Sequence, residues 1–136
     1  MKRKNFAAWV LLLLLTVSLA GCGSREEDTK NTVSYQQITA EEAKSMMVEQ
    51  PDAVILDVRE QDEYDAGHIP GAVLLTVGTI NEETAASVIP EKDTVVLVYC
   101  RSGNRSKTAS QALADLGYTQ IYEFGGIKDW PYEVER

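Results

Sequence analysis

The chain reads as an α/β domain: a central, mostly parallel β-sheet with helices on both faces. Three observations predict it. Short β-branched apolar runs alternate with segments of helical period along most of the chain. The run Thr94-Val95-Val96-Leu97-Val98-Tyr99 has no polar alternation, as a strand covered on both faces requires. Glycine or proline punctuates the joins at Pro51, Gly67, Pro70, Gly71, Pro90, Gly117 and Gly125.

Taken in order, Met1-Lys2-Arg3-Lys4 is basic and Phe6 to Leu19 is almost wholly apolar. That run is too short for a comfortable span of about 20 residues, and its small-residue boundary makes it a secretory signal. Residues 1–21 are assigned to it. The sequence Leu19-Ala20-Gly21-Cys22 resembles the lipobox of bacterial lipoproteins, which implies acylation of Cys22 and a lipid anchor on the outer face of the cell membrane or its periplasmic side. The alternatives are ordinary cleavage after Ser18-Leu19-Ala20 or an uncleaved anchor. More than one acyl chain is needed for stable attachment. Residues 22–34, with Arg25-Glu26-Glu27-Asp28, lack apolar periodicity and read as a polar tether. The folded domain is assigned to 35–136.

Tyr35 to Ile38 reads as an edge strand. Thr39 followed by Glu42 is a capping box that opens a helix over Ala40–Glu49, stopped by Pro51-Asp52. Val54 to Val58 is a buried strand, Arg59 to Tyr64 a short helix, and Gly67-His68-Ile69-Pro70-Gly71 a turn. Ala72 to Leu75 gives another short strand. Asn81 to Val88 is helical and ends before Pro90. After the strand Thr94–Tyr99 comes Cys100-Arg101-Ser102-Gly103-Asn104-Arg105, then a helix from Ser106 with Ala109, Ala112, Leu113 and Leu116 on one face. Gly117 is its C-cap. Ile121 to Phe124 is the fourth core strand, and Gly125-Gly126 leads into a short helical piece ending near Trp130-Pro131.

Strand, loop and helix in that order aim a helix N-terminus back at the Cys100 thiol, with its unpaired N–H groups and positive dipole end. An ordinary cysteine, with a pKa of about 8.5, is only about 3% thiolate at pH 7. A helix start and neighbouring arginines lower that to about 6.5 or below. Arg101 and Arg105 supply the charge, and Gly103 allows a left-handed turn. The expected product is a nucleophilic sulfur in an anion-binding nest.

Composition narrows the function further. The chain has 136 residues and a formal charge of −8, one domain's worth, and its acidity argues against a nucleic-acid partner. Removing residues 1–21 takes away Lys2, Arg3 and Lys4 and no acidic residue, so the mature chain is more acidic still. One histidine and two cysteines do not make a four-ligand zinc site. If Cys22 is lipidated, Cys100 is the sole free thiol, and a lone cysteine in an exported domain points to chemistry.

The domain resembles the rhodanese family of sulfurtransferases. The resemblance rests on Leu56-Asp57-Val58-Arg59-Glu60 with Gly67-His68-Ile69-Pro70-Gly71-Ala72, on the Cys100–Arg105 loop, and on Gly125-Gly126-Ile127 with Trp130. It covers about Ser34 to Val134. It implies a rhodanese-like sandwich and a double displacement. Cys100 takes the sulfane sulfur of thiosulfate or a persulfide and passes it to cyanide or a thiol. Arg101, Ser102, Gly103, Asn104 and Arg105 then bind the anionic donor, with no metal or other cofactor. Asp57, Arg59 and Ser106 are expected to brace the loop, His68 to be a structural turn residue, and Trp130 to be packing. After Gly71-Ala72 many relatives have Asn and an Ile-Pro pair where this chain has Val73-Leu74-Leu75-Thr76-Val77-Gly78, which bears on the pocket rim. Two other functions stand beside this one. A binding or sensing module would keep the fold without turnover. A cysteine-dependent phosphatase or arsenate reductase would use Cys-x5-Arg, whereas Cys100 to Arg105 is Cys-x4-Arg, and its anion cradle must match its ligand in size. Oligomeric state is left open.

Overall fold

A computed structural model describes residues 34–136. The signal segment 1–21, the Cys22 lipidation site and the tether up to residue 33 lie outside the described residues.

Five strands form one sheet in the order β1-β5-β4-β2-β3, and every pairing in it is parallel. The strands are β1 (Gln36–Gln37), β2 (Val54–Asp57), β3 (Val73–Leu74), β4 (Val95–Cys100) and β5 (Gln120–Gly126). The helices are α1 (Ala40–Glu49), α2 (Gln61–Ala66), α3 (Glu82–Val88) and α4 (Asn104–Asp115), with 3₁₀ turns at Val77–Thr79 and Ile127–Asp129.

The central strand β4 is covered on both faces, and its alternation divides the core. Val96, Val98 and Cys100 point to one face, where Ala109, Leu113 and Ala114 of α4 and Ala85 of α3 close over them. Leu97 and Tyr99 point to the other, against Ala43 of α1, Phe124 and Trp130. The period of two in a strand makes Cys100 an α4-face residue. Ser106, Ala109, Ser110 and Ala114 are buried and small, so α4 approaches the sheet closely.

The capping box forms as expected: Thr39 N–H donates to Glu42 Oε2 at 2.7 Å, and Glu42 N–H to Thr39 Oγ1 at 3.1 Å. Elsewhere element ends move. The edge strands β1 and β3 shorten to two residues each. Helix α2 starts at Gln61 rather than Arg59, because the Arg59 backbone N–H and Nε are both held by Asp57 Oδ1, at 3.0 and 2.9 Å. Helix α4 starts at Asn104 rather than Ser106, since Gly103 at φ +103° turns the chain into the helix two residues early. Strand β5 runs on through Gly126, past the expected end at Phe124. Its pairing with β4 slips between Val98↔Glu123 and Cys100↔Gly126, a bulge at the strand end beside the cysteine loop.

Candidate active site

At the carboxyl end of β4 the chain turns sharply from Cys100 into α4. Cys100 is 1% exposed, and its sulfur lies under the amides of the loop that follows. Gly103 N–H donates to Sγ at 3.0 Å, and the Ser106 hydroxyl lies 3.4 Å from it. Burial pushes the thiol up. Hydrogen bonds around the sulfur, those of the Ser106, Gly103 and Ser102 backbone N–H groups among them, more than offset this, and the Cys100 pKa falls below its ordinary value.

The loop keeps its amides inward because its first carbonyl faces outward. Lys128 N–H donates to Arg101 O at 3.3 Å. Gly126, the register partner of Cys100, lies directly behind that peptide: a Cβ there would sit 1.9 Å from Arg101 O and 2.5 Å from Ser102 N. Only glycine permits that approach. Gly125, at φ +87°, makes the bulge that brings Gly126 into place.

The residues singled out from sequence fall into separate groups. Ser102 and Gly103 give backbone to the sulfur, while the Ser102 and Asn104 side chains are exposed. Arg101 is exposed at the loop and has no ion-pair partner among the described residues. Arg105, expected as an anion ligand, is instead paired at both outer nitrogens. Its Nη1 and Nη2 donate to the two carboxylate oxygens of Glu63, at 2.6 and 2.8 Å. That pair holds Glu63 down at about 2. Arg101 is thus the unpaired arginine of the loop, and Arg105 brings its charge beside the sulfur with a carboxylate attached.

Asp57 and Arg59 form a buried pair, Nη2 to Oδ2 at 2.6 Å. The same Arg59 Nη2 donates to Gly67 O at 2.7 Å. Tyr99 Oη donates to Asp57 Oδ2 at 2.7 Å and accepts from Ile69 N–H at 3.1 Å. The network ties the ends of β2 and β4 to the Gly67–Gly71 turn, so it braces the cysteine loop through Tyr99 and not by touching it. His68 stacks on Tyr64 with centroids 3.8 Å apart, donates from Nδ1 to Tyr64 O, and bridges to Glu135. Trp130 packs on Phe124 and donates to Glu133 O.

Two carboxylates at the site were not singled out from sequence. Glu63 carried no distinguishing signal, since acidic residues are expected in any first helical turn. Glu123 did: it is a charged residue in an otherwise apolar strand, Ile121-Tyr122-Glu123-Phe124. It is 2% exposed, and its Oε1 accepts from Ser106 Oγ at 2.6 Å and from Gly125 N–H at 2.8 Å. A cleft lined by Glu49, Pro51, Asp52, Asp93, Thr94 and Val95 lies at the opposite ends of β2 and β4, away from Cys100. No cluster of His, Cys, Asp and Glu able to hold a metal is present among the described residues.

A buried sulfur ringed by inward-facing amides can hold negative charge on itself or on an atom bound to it. Known proteins resemble the chain as a whole. A family model described as Rhodanese-like domain matches residues 39–132. Thiosulfate sulfurtransferase PspE of Escherichia coli is 36% identical over 74 residues, which are 54% of this chain and 70% of that protein. Thiosulfate sulfurtransferase GlpE of Coxiella burnetii is 36% identical over 97 residues, 71% of this chain and 87% of that one. A solved structure titled "rhodanese with anions from E. coli" superposes with a TM-score of 0.58 at 31% identity, covering 62% of this chain and 98% of that one.

Proposed function

The chain belongs to the rhodanese-like domain family, and from that premise we propose that it moves a sulfane sulfur from thiosulfate or a persulfide to a thiol or cyanide through a persulfide on Cys100. The similarity to proteins named thiosulfate sulfurtransferase supports a sulfurtransferase-type function. The observation that carries the specific reaction is the approach of loop amides to one sulfur, with Gly103 N at 3.0 Å.

The steps balance without any outside oxidant. The Cys100 thiolate attacks the outer sulfur of thiosulfate, and a new S–S bond forms. The old S–S bond breaks, and its electron pair leaves with sulfite. The terminal sulfur of the resulting Cys100–S–S⁻ carries the charge, and the loop N–H groups stabilise it. Arg101 draws the anionic donor to the loop. A thiolate or cyanide then attacks the terminal sulfur, and the breaking bond returns its pair to Cys100. Neither step calls for a general base once the thiol is ionised.

Incubation of the full chain with thiosulfate should give an intact mass heavier by one sulfur atom, lost on adding cyanide and absent in Cys100→Ser. No adduct on the wild-type protein would overturn the reading.

We further propose that the domain is exported and lipid-anchored through Cys22. Support comes from the basic start, the apolar run Phe6–Leu19 and the sequence Leu19-Ala20-Gly21-Cys22. Metabolic labelling with a fatty acid should mark the wild type and not Cys22→Ala; equal labelling of the two would refute the anchor.

A further inference from the structure

Glu123 is a buried carboxylate with no ion-pair partner among the described residues. A buried charge of that kind is costly unless its oxygens are filled. Gly125 N–H and Ser106 Oγ fill Oε1, and Gln37 Nε2 approaches Oε2 at 3.2 Å. Gln37 comes from β1 and is neutral, so no cation offsets the charge from that side.

Ser106 carries a single hydroxyl hydrogen. Four acceptors surround it: Glu123 Oε1 at 2.6 Å, Gly103 O at 3.0 Å, Gly125 O at 3.4 Å and Cys100 Sγ at 3.4 Å. A short bond to a carboxylate is about twice as strong as one to a neutral acceptor. Glu123 therefore wins the hydrogen, and Ser106 turns a lone pair toward the sulfur. A Cys100 S–H can donate to that lone pair; a thiolate gains nothing from it.

We propose that Glu123 is a positioning residue acting through Ser106: by taking the one hydroxyl proton, it withholds a hydrogen bond from the Cys100 sulfur and keeps the thiolate less stabilised than the loop could make it. The inference rests on the reading of Cys100 as the reactive sulfur. Its chemical use follows from thiol reactivity: nucleophilicity falls as the thiol pKa falls, so an over-stabilised thiolate attacks slowly. The other charges facing the sulfur come from α4 and α2, namely Arg105 with Glu63 behind it. The Arg105 side chain hydrogen-bonds to Glu63 and not to the Ser106 or Glu123 side chains, so substitutions at those two positions keep that pair.

The test is the pH dependence of iodoacetamide labelling at Cys100 in the full chain, read on the Cys100 peptide by mass. Glu123→Gln keeps the shape and removes the charge, returning the hydroxyl hydrogen to the sulfur. It should lower the labelling midpoint by about one pH unit. Ser106→Ala should leave the midpoint within about 0.3 unit of wild type, because the sulfur loses no donor. In the Ser106→Ala background, Glu123→Gln should shift the midpoint by less than about 0.3 unit. A rise of about one unit in Ser106→Ala would overturn the proposal, since Ser106 would then already donate to sulfur. An equal Glu123→Gln shift with and without Ser106 would also overturn it, since the carboxylate would act by charge alone. If Glu123→Gln fails to fold, Ser106→Ala decides by itself. Labelling reads the thiol and not its turnover, so a missing persulfide would remove the proposed function and leave this result standing.

Discussion

Gly126→Ala is the sharpest test of how the loop is held. The added methyl would lie 1.9 Å from Arg101 O, 2.3 Å from Arg101 C and 2.5 Å from Ser102 N. All three are backbone atoms, so no side chain can swing aside. Ordinary contact needs about 3.5 Å, and the first peptide of the loop would have to retreat by about 1.5 Å. That movement breaks the Lys128 N–H bond to Arg101 O and draws Ser102 and Gly103 N–H away from the sulfur. Overpacking together with the lost backbone bond should destabilise the domain by about 3 kcal/mol. With the amides displaced, the thiol returns toward about 8.5, and the thiolate fraction at pH 7 drops to about 3%. A misplacement of this size costs on the order of 100-fold in rate. Urea unfolding measures the first effect and the rate of persulfide formation from thiosulfate the second. Gly117→Ala is the control: its φ is +93° with nothing within 4 Å of the new Cβ. It should cost about 1 kcal/mol through backbone strain and leave sulfur loading unchanged. A Gly126→Ala protein within about 0.5 kcal/mol of wild type, loading sulfur at the wild-type rate, would refute the reasoning.

Three further outcomes follow from the network around the loop. Tyr99→Phe removes one hydroxyl that serves both Asp57 and Ile69 N–H, and should cost about 2 kcal/mol in chemical denaturation, with Cys100 labelling little changed. Asp57→Ala leaves the Arg59 guanidinium buried and unpaired, and should cost about 3–5 kcal/mol by the same measurement. Glu63 is depressed to about 2 by Arg105, so its contribution is full above the unfolded carboxyl value of 4.5 and is lost as pH falls toward 2. Wild type should therefore lose about 1 kcal/mol more than Glu63→Gln between pH 5 and pH 2, the partial exposure of the pair screening the rest. Parallel acid-unfolding curves for the two proteins would contradict the assigned pairing.

What the sequence determined by itself was local. The alternation of strands and helices, the capping box at Thr39 and the strand–loop–helix around Cys100 each rest on neighbours a few residues apart. Periodicity and turn chemistry act at that range. The tertiary structure decided what only long-range pairing can bring together. Parallel strands must be joined by crossovers, so β5 reaches the side of β4 only by way of α4. That places Glu123 against Ser106 and Gly126 against the Arg101 peptide, contacts that no spacing along the chain encodes. Arg105 shows the same division: its charge beside the cysteine was legible in the loop, whereas its commitment to Glu63, 42 residues earlier, was not. Side-chain ionisation depends on which groups meet in the folded interior, and that meeting is a property of the packed sheet.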